Sequence, residues 1–371
     1  MKVTDVVHIL EELAPLSYSE DFDNTGLLVG DASETVSGIL VTLDTLEDVV
    51  DEAVEQNCNL IVSFHPILFK GLKKITGKTY VERVVLKAIK HNIAIFAIHT
   101  ALDNAWNGVN AMMCEKLDLI NRNILIPQSG TINKLVTFVP SENAAAVREA
   151  LFAAGAGNIG NYSHCSFNQS GMGSFKGNED SNPERGKKGE THFEAEVQIG
   201  VTFQKHLQSR VLQALFESHP YEEVAYEITT LNNPNQHIGM GMTGELEKEM
   251  SEADFLKHIK KTFKSGCVRH SALLGNPIKK VAVLGGSGSF AIEAAKMAGA
   301  DAFITADLKY HDFFTAENSL LLADVGHYES EQFTKELLVA HLSKKISNFA
   351  PALSAGRIIL SQVITNPISY Y

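Results

Sequence analysis

From residue 39 onward, short apolar runs alternate with amphipathic stretches. Residues 39–44 (ILVTLD) predict a buried strand, and Thr45 with Asp48 makes a T-x-x-D start for a helix reaching residue 57. Residues 59–64 (NLIVSF) predict the next strand, ending on His65-Pro66, and a helix over 81–91 leads into a strand at 93–99. The pattern resumes at 279–284, 302–305 and 320–325, each run followed by helical spacing. Near-continuous apolar strands alternating with helices indicate an α/β fold, its mostly parallel sheet covered on both faces.

The middle of the chain has another rhythm. It predicts a strand at 135–140, a helix at 144–154, strands at 159–167 and 193–203 around a mobile Gly-, Asn- and Ser-rich loop, a helix at 206–218 and a strand at 223–231. The order β-α-β-β-α-β is that of a ferredoxin-like α+β unit. It lies between two α/β blocks, so residues 127–237 are expected to form an inserted domain, with one α/β lobe at 1–126 and a second at 238–371.

Composition narrows the class. A chain of 371 residues, 44% hydrophobic, has ample length for a core, and its formal charge of −12 argues against a phosphate-backbone binder. Nucleotide-sized substrates stay open, because a metal supplies positive charge locally. Cys58, Cys114, Cys165 and Cys267 are scattered without a CxxC pair, which predicts neither disulfides nor a thiolate zinc site. The N-terminus mixes acids with apolar residues at helical spacing, unlike a signal peptide, and no apolar run approaches the roughly 18 residues of a membrane span. A cytoplasmic location is expected.

In an open parallel sheet, ligands bind beyond the carboxyl ends of the strands. There the sequence places His65, His99 with Asp103 four residues on, Asp307 with His311, and His327 with Glu331 one helical turn later. Side chains at i and i+4 share a helix face, roughly 5–6 Å apart at Cβ. Imidazoles with carboxylates suit Zn, Mn, Fe or Co, and the lack of thiolates favours a catalytic over a closed structural site. Blander readings are a His327–Glu331 pair at a solvated helix start, His65 capping a strand, and Asp103 in an Asx-type turn. His99 would orient Asp103 or a bound water. Asp23, in an acidic turn, could line the same cleft.

Gly286, Gly288 and Ala291 spell G-x-G-x-x-A after a strand, with Asp307 21 residues after Gly286, formally a dinucleotide fingerprint. A backbone-amide nest facing the cleft, suited to phosphate or carboxylate, and a tight packing turn are the alternatives.

The strings DNTGLLVG, SFHPILFKGLKK, HTALDNAWNGVN, GAGNIGNYSHCSFN, HPYEEVAY, VAVLGGSGSF, DAFITADLKYHD and ADVGHYESE together resemble the GTP cyclohydrolase 1 type 2 homologues, also known as Nif-three-like proteins. The resemblance covers nearly the whole chain. It implies two related α/β lobes enclosing a metal centre, an inserted domain similar to P-II and CutA proteins, and a hexameric homo-oligomer. It implies His65, Asp103, His327 and Glu331 as metal ligands, with Glu331 the bridge, and makes Glu331 and His99 the catalytic candidates. The family's His-His-Pro stands here as Phe64-His65-Pro66, so one ligand is lost and one or two ions per subunit, zinc first, are expected; His99 or water would complete the set. The activity implied is metal-assisted hydrolysis of a nucleotide-like substrate, such as opening of the GTP imidazole ring with release of formate. The rival is a metal-binding regulatory or interaction protein whose insert senses a ligand or partner.

Overall fold

Runs of four fully buried residues form the three central strands of the first sheet. In the computed structural model, which describes residues 1–349 and 357–371, it contains β1 (Gly26–Val29), β2 (Ile39–Thr42), β3 (Leu60–Ser63) and β4 (Ala94–Ala97). β2, β3 and β4 run parallel, and β1 pairs antiparallel with β4. On one face α1 (Val3–Leu13) sets Val3, Val6 and Leu10 into a core with Val41, Val62 and Phe96. On the other, α2 (Glu47–Glu55) and α3 (Tyr80–Lys90) pack Val49, Val50 and Val84 with Leu40, Ile61 and Ile95. Each such side chain contributes roughly 1.5–3 kcal/mol by leaving water. α2 begins one residue later than the T-x-x-D signal suggests: Leu46 is its N-cap and no side chain caps it. After β4 come α4 (His99–Asn104), α5 (Val109–Lys116) and β5 (Ile120–Pro127).

The chain forms two compact units, residues 1–127 with 237–371 and residues 128–236. The second unit runs β6 (Ile132–Pro140), α6 (Ala144–Ala153), β7 (Phe167–Phe175), β8 (His192–Gln204), α7 (Gln208–Ser218) and β9 (Tyr226–Leu231). Its four strands pair antiparallel in the order β7-β8-β6-β9. Val147, Leu151, Val211 and Leu215 of the two helices pack with Leu135, Ile199 and Phe203 of the sheet. The strand expected at 159–167 lies later, at Phe167–Phe175. Residues Ile159 and Tyr162 instead close a tight turn through two backbone hydrogen bonds of 2.9 and 3.0 Å. β7 thus occupies the first third of the segment expected to be a loop.

His219 follows α7 and is buried. Its Nε2–H donates to the Phe138 carbonyl (3.0 Å) and its Nδ1 accepts the Tyr221 N–H (3.1 Å), which fixes a neutral ring. Burial lowers its pKa, against the weaker pull of the Phe138 carbonyl. The unfolded chain therefore takes up this proton first as pH falls, and stability is lost below roughly pH 6.5. We expect the urea midpoint to drop between pH 7.5 and 5.5, and to drop less in His219→Gln. An equal drop in both would contradict the assignment.

The chain then returns to the first unit with β10 (Gly239–Met250), α8 (Glu252–Thr262), β11 (Arg269–His270), β12 (Ile278–Ser287), α9 (Ile292–Met297), β13 (Ala302–Ala306), β14 (Leu321–Asp324), α10 (His327–Glu331), α11 (Thr334–Phe349) and β15 (Ile358–Leu360). The second sheet has the order β11-β14-β13-β12-β10-β5, with β12, β13 and β14 parallel. Val283, Ile304 and Ala323 join the same core as Val41, Val62 and Phe96, so one apolar core links both sheets. The sheets do not follow the sequence lobes strictly. β5 pairs with β10 in the second sheet, and β15 returns to pair with β2 in the first. The fold is mixed α/β with three sheets.

All four cysteines are free. Among the described residues, no helix is long and apolar enough to cross a membrane.

Candidate metal centre

The carboxyl ends of five parallel strands deliver polar side chains to one place. β2 is followed by Asp44, β3 by His65, β4 by His99, β13 by Asp307 and β14 by His327 at the start of α10. Asp307 (φ 58°) and His99 (φ 30°) adopt left-handed backbone conformations, which cost of order 1 kcal/mol each and are held by the surrounding fold.

Each histidine is backed by a carboxylate through the same ring atom. His65 Nδ1 lies 2.8 Å from Asp44 Oδ1, His327 Nδ1 lies 2.7 Å from Asp307 Oδ2, and His99 Nδ1 lies 2.8 Å from both oxygens of Asp23. An ionised carboxylate only accepts, so Nδ1 carries a proton and Nε2 is the ring atom that a metal would take. Asp44 is itself held by the Thr365 hydroxyl at 2.5 Å, and Asp23 by the Thr100 hydroxyl and amide.

Two of these Nε2 atoms, from His65 and His327, lie 3.2 Å from one atom, Glu331 Oε2. That oxygen is buried and lacks an aligned hydrogen bond. The donor atoms of His65, His327 and Glu331 all fall within 4.8 Å of one another. Asp103 is the fourth member electrostatically. Its Oδ1 is buried without a partner, and burial followed by repulsion from Glu331 pushes its pKa well above the usual carboxylate range. Burial also opposes charge on the imidazoles, but Glu331 with Asp44 holds His65 up at about 10, and Asp307 with Glu331 holds His327 up at about 11. Burial would raise Glu331 too, yet the two imidazoles bring it down to about 2. The pocket prefers positive charge between its carboxylates, and its convergent donors, two imidazoles and one carboxylate, fit a divalent ion, with the buried, unpartnered Asp103 carboxyl coupled to them electrostatically.

His99 is outside this tight group. Its ring packs 5.3 Å from that of His65, centroid to centroid, while Phe64 lies against both. His311 stacks beside Tyr310 and Phe314 instead of joining the group. The sequence reading missed Asp44, although it ends a strand just as His65 does.

The first two amides of the glycine run are engaged within the fold and are not open to a ligand. Gly285 and Gly286 lie near the end of strand β12, and their amides donate to Asn110 Oδ1 (3.1 Å) and Ser330 Oγ (2.9 Å). Asp307 is engaged by His327. A Cβ on Gly286 would lie 2.4 Å from Glu331 Oε1. The glycine is required so that the strand can approach the carboxylate.

A family profile described as DUF34/NIF3 (NGG1p interacting factor 3) matches residues 1–367. The chain belongs to the DUF34/NIF3 family. A Bacillus subtilis relative named GTP cyclohydrolase 1 type 2 homolog is 37% identical over 98% of this chain and 97% of its own. A Staphylococcus epidermidis relative of the same name is 33% identical over the full length of both. Among solved structures, a Bacillus cereus protein related to NIF3 superposes with a TM-score of 0.86 at 34% identity, covering 100% of this chain and 99% of the other. This DUF34/NIF3 protein also carries a separate cavity of about 900 Å3, lined by residues of the second unit, including Phe138, Phe175, Glu196 and Tyr221.

Proposed function

We propose that His65, Asp103, His327 and Glu331 hold a divalent metal ion, zinc or one of iron, manganese and cobalt, and that the protein is a metal-dependent hydrolase of a nucleotide-like substrate. The observation that carries this reading is the convergence of two carboxylate-backed imidazoles on one buried carboxylate oxygen. Carboxylate–histidine pairs of this kind orient imidazole ligands and raise their basicity. Phe64 is 0% exposed and packs against His65 and His99 without offering a donor atom, so one ion per chain is expected.

When bound, such an ion supplies Lewis acidity, stabilising charge on a reacting oxygen and lowering the pKa of water. The residues supply the rest. Asp44 and Asp307 fix the ring tautomers, and Glu331 sets the distance between the two imidazoles. Asp23 holds His99 at Nδ1, which leaves Nε2 as the atom that takes or gives a proton. The nucleotide class comes from the relatives, whose name is that of a GTP cyclohydrolase homolog.

Release of formate from GTP by metal-loaded protein tests the hydrolase reading, and absence of turnover with zinc, iron, manganese and cobalt would sink it. Asp44→Asn and Asp307→Asn are each expected to weaken metal binding about 10–100-fold in a chelator competition. Unchanged affinity would show that these carboxylates do not prepare the imidazoles.

The 900 Å3 cavity favours a second reading, in which the inserted unit senses a ligand and the metal centre is regulatory. Its β-α-β-β-α-β order supports a ferredoxin-like, P-II- or CutA-like ancestry. We further infer a hexameric homo-oligomer from the family resemblance, to be checked by sedimentation.

A further inference from the structure

Two exposed aromatic rings stand beside the histidine cluster. Phe22 is 66% exposed and Phe69 is 47% exposed, with ring centroids 6.5 Å apart. Phe69 lies 6.3 Å from the ring of His99, His99 lies 5.3 Å from His65, and His65 lies 5.4 Å from His327. Phe22 also precedes Asp23, the carboxylate that holds His99, and Asn24 donates to the Leu68 carbonyl, tying the two segments together. The aromatic pair is thus a wall one ring removed from the centre.

Phe22 is flanked by Glu20, Asp21 and Asp23, whereas the segment after Phe69 is cationic. Lys70, Lys73 and Lys74 follow Phe69 within five residues, all exposed, and none makes an ion pair among the described residues. Three exposed lysines within five residues of Phe69, without an ion pair, stand out on a chain whose formal charge is −12. Exposed aromatic faces next to free cations match a ligand with a flat ring at one end and phosphates at the other. A free phosphate would not need the rings, and an apolar partner would not need the lysines.

We propose that residues 22 and 69–74 form the substrate-binding flank of the centre, with Phe22 and Phe69 stacking a nucleobase and Lys70, Lys73 and Lys74 binding its polyphosphate. The ligand class is a nucleoside polyphosphate. This rests on the reading of the centre as a hydrolase of a nucleotide-like substrate and names how that substrate is gripped.

The test is equilibrium binding of GTP, guanosine and inorganic triphosphate to the metal-loaded full chain, with metal content measured afterwards. Phe69→Ala is expected to weaken GTP and guanosine about tenfold and leave triphosphate unchanged. Lys70→Gln/Lys73→Gln/Lys74→Gln is expected to weaken GTP and triphosphate about tenfold, to leave guanosine unchanged and to flatten the salt dependence. All variants should keep their metal. The proposal is overturned if wild type fails to bind GTP, if both variants bind all three probes like wild type, or if Phe69→Ala loses its metal. The expected pattern without formate release would remove the hydrolase reading and keep the flank. Formate release with unaltered KM in both variants would do the reverse.

Discussion

Glu331→Gln is expected to fold and to lose its metal. The amide keeps the volume of a buried side chain, so the core around α10 and β12 stays filled. It removes the one anion that both His65 and His327 approach at 3.2 Å. Affinity should fall by at least about 100-fold, a larger effect than loss of an orienting carboxylate. A ligand present at about 1,000 times its dissociation constant stabilises the folded state by about 4 kcal/mol. The difference in Tm between loaded and chelated protein should therefore be clear in wild type and nearly absent in the variant. An equal shift in both would mean that the ion binds elsewhere.

Gly286→Ala is expected to do almost as much damage through one methyl group. The residue has a φ of 66°, and the added Cβ would lie 2.4 Å from Glu331 Oε1. The left-handed backbone alone costs roughly 1 kcal/mol for alanine. The clash must also move the carboxylate, and a displacement near 1 Å at a functional group can cost about 100-fold. Gly275 is the control, since it has a φ of 77° with nothing within 4 Å of its added Cβ. Gly275→Ala should share the backbone penalty and keep the metal. If both alanine variants retain the ion equally, the close approach of β12 to Glu331 does not matter for binding.

The parallel strands were legible because both their faces are buried, so β2, β3, β4, β13 and β14 stand out as short apolar runs. Their carboxyl ends then pointed to His65, His99 and His327 without any coordinates. β7 escaped notice for the opposite reason. It is an edge strand whose side chains, Phe167 and Met172 included, are largely exposed, and its sequence FNQSGMGSF has no apolar alternation to detect. The pairing of β5 with β10 and of β15 with β2 depends on contacts between distant residues, which local pattern does not encode.

The site shows the same division. His327 and Glu331 are one helical turn apart, so their meeting could be read from spacing alone. Asp44 and Asp307 act through pairings with residues about 20 positions away, at 21 for His65 and 20 for His327. The glycine run at 285–288 was ambiguous in sequence, since a nest and a close-packed turn use the same residues. Hydrogen bonds to Asn110 and Ser330 commit Gly285 and Gly286 to packing.

The activity proposed for this protein depends on His65, Asp103, His327 and Glu331 holding a divalent ion. Elemental analysis of the full chain, loaded with zinc, passed through a desalting column and compared with Glu331→Gln treated identically, tests it most directly. About one ion per wild-type chain is expected, and almost none in the variant. Equal metal content in the two proteins, whether both full or both empty, would contradict it.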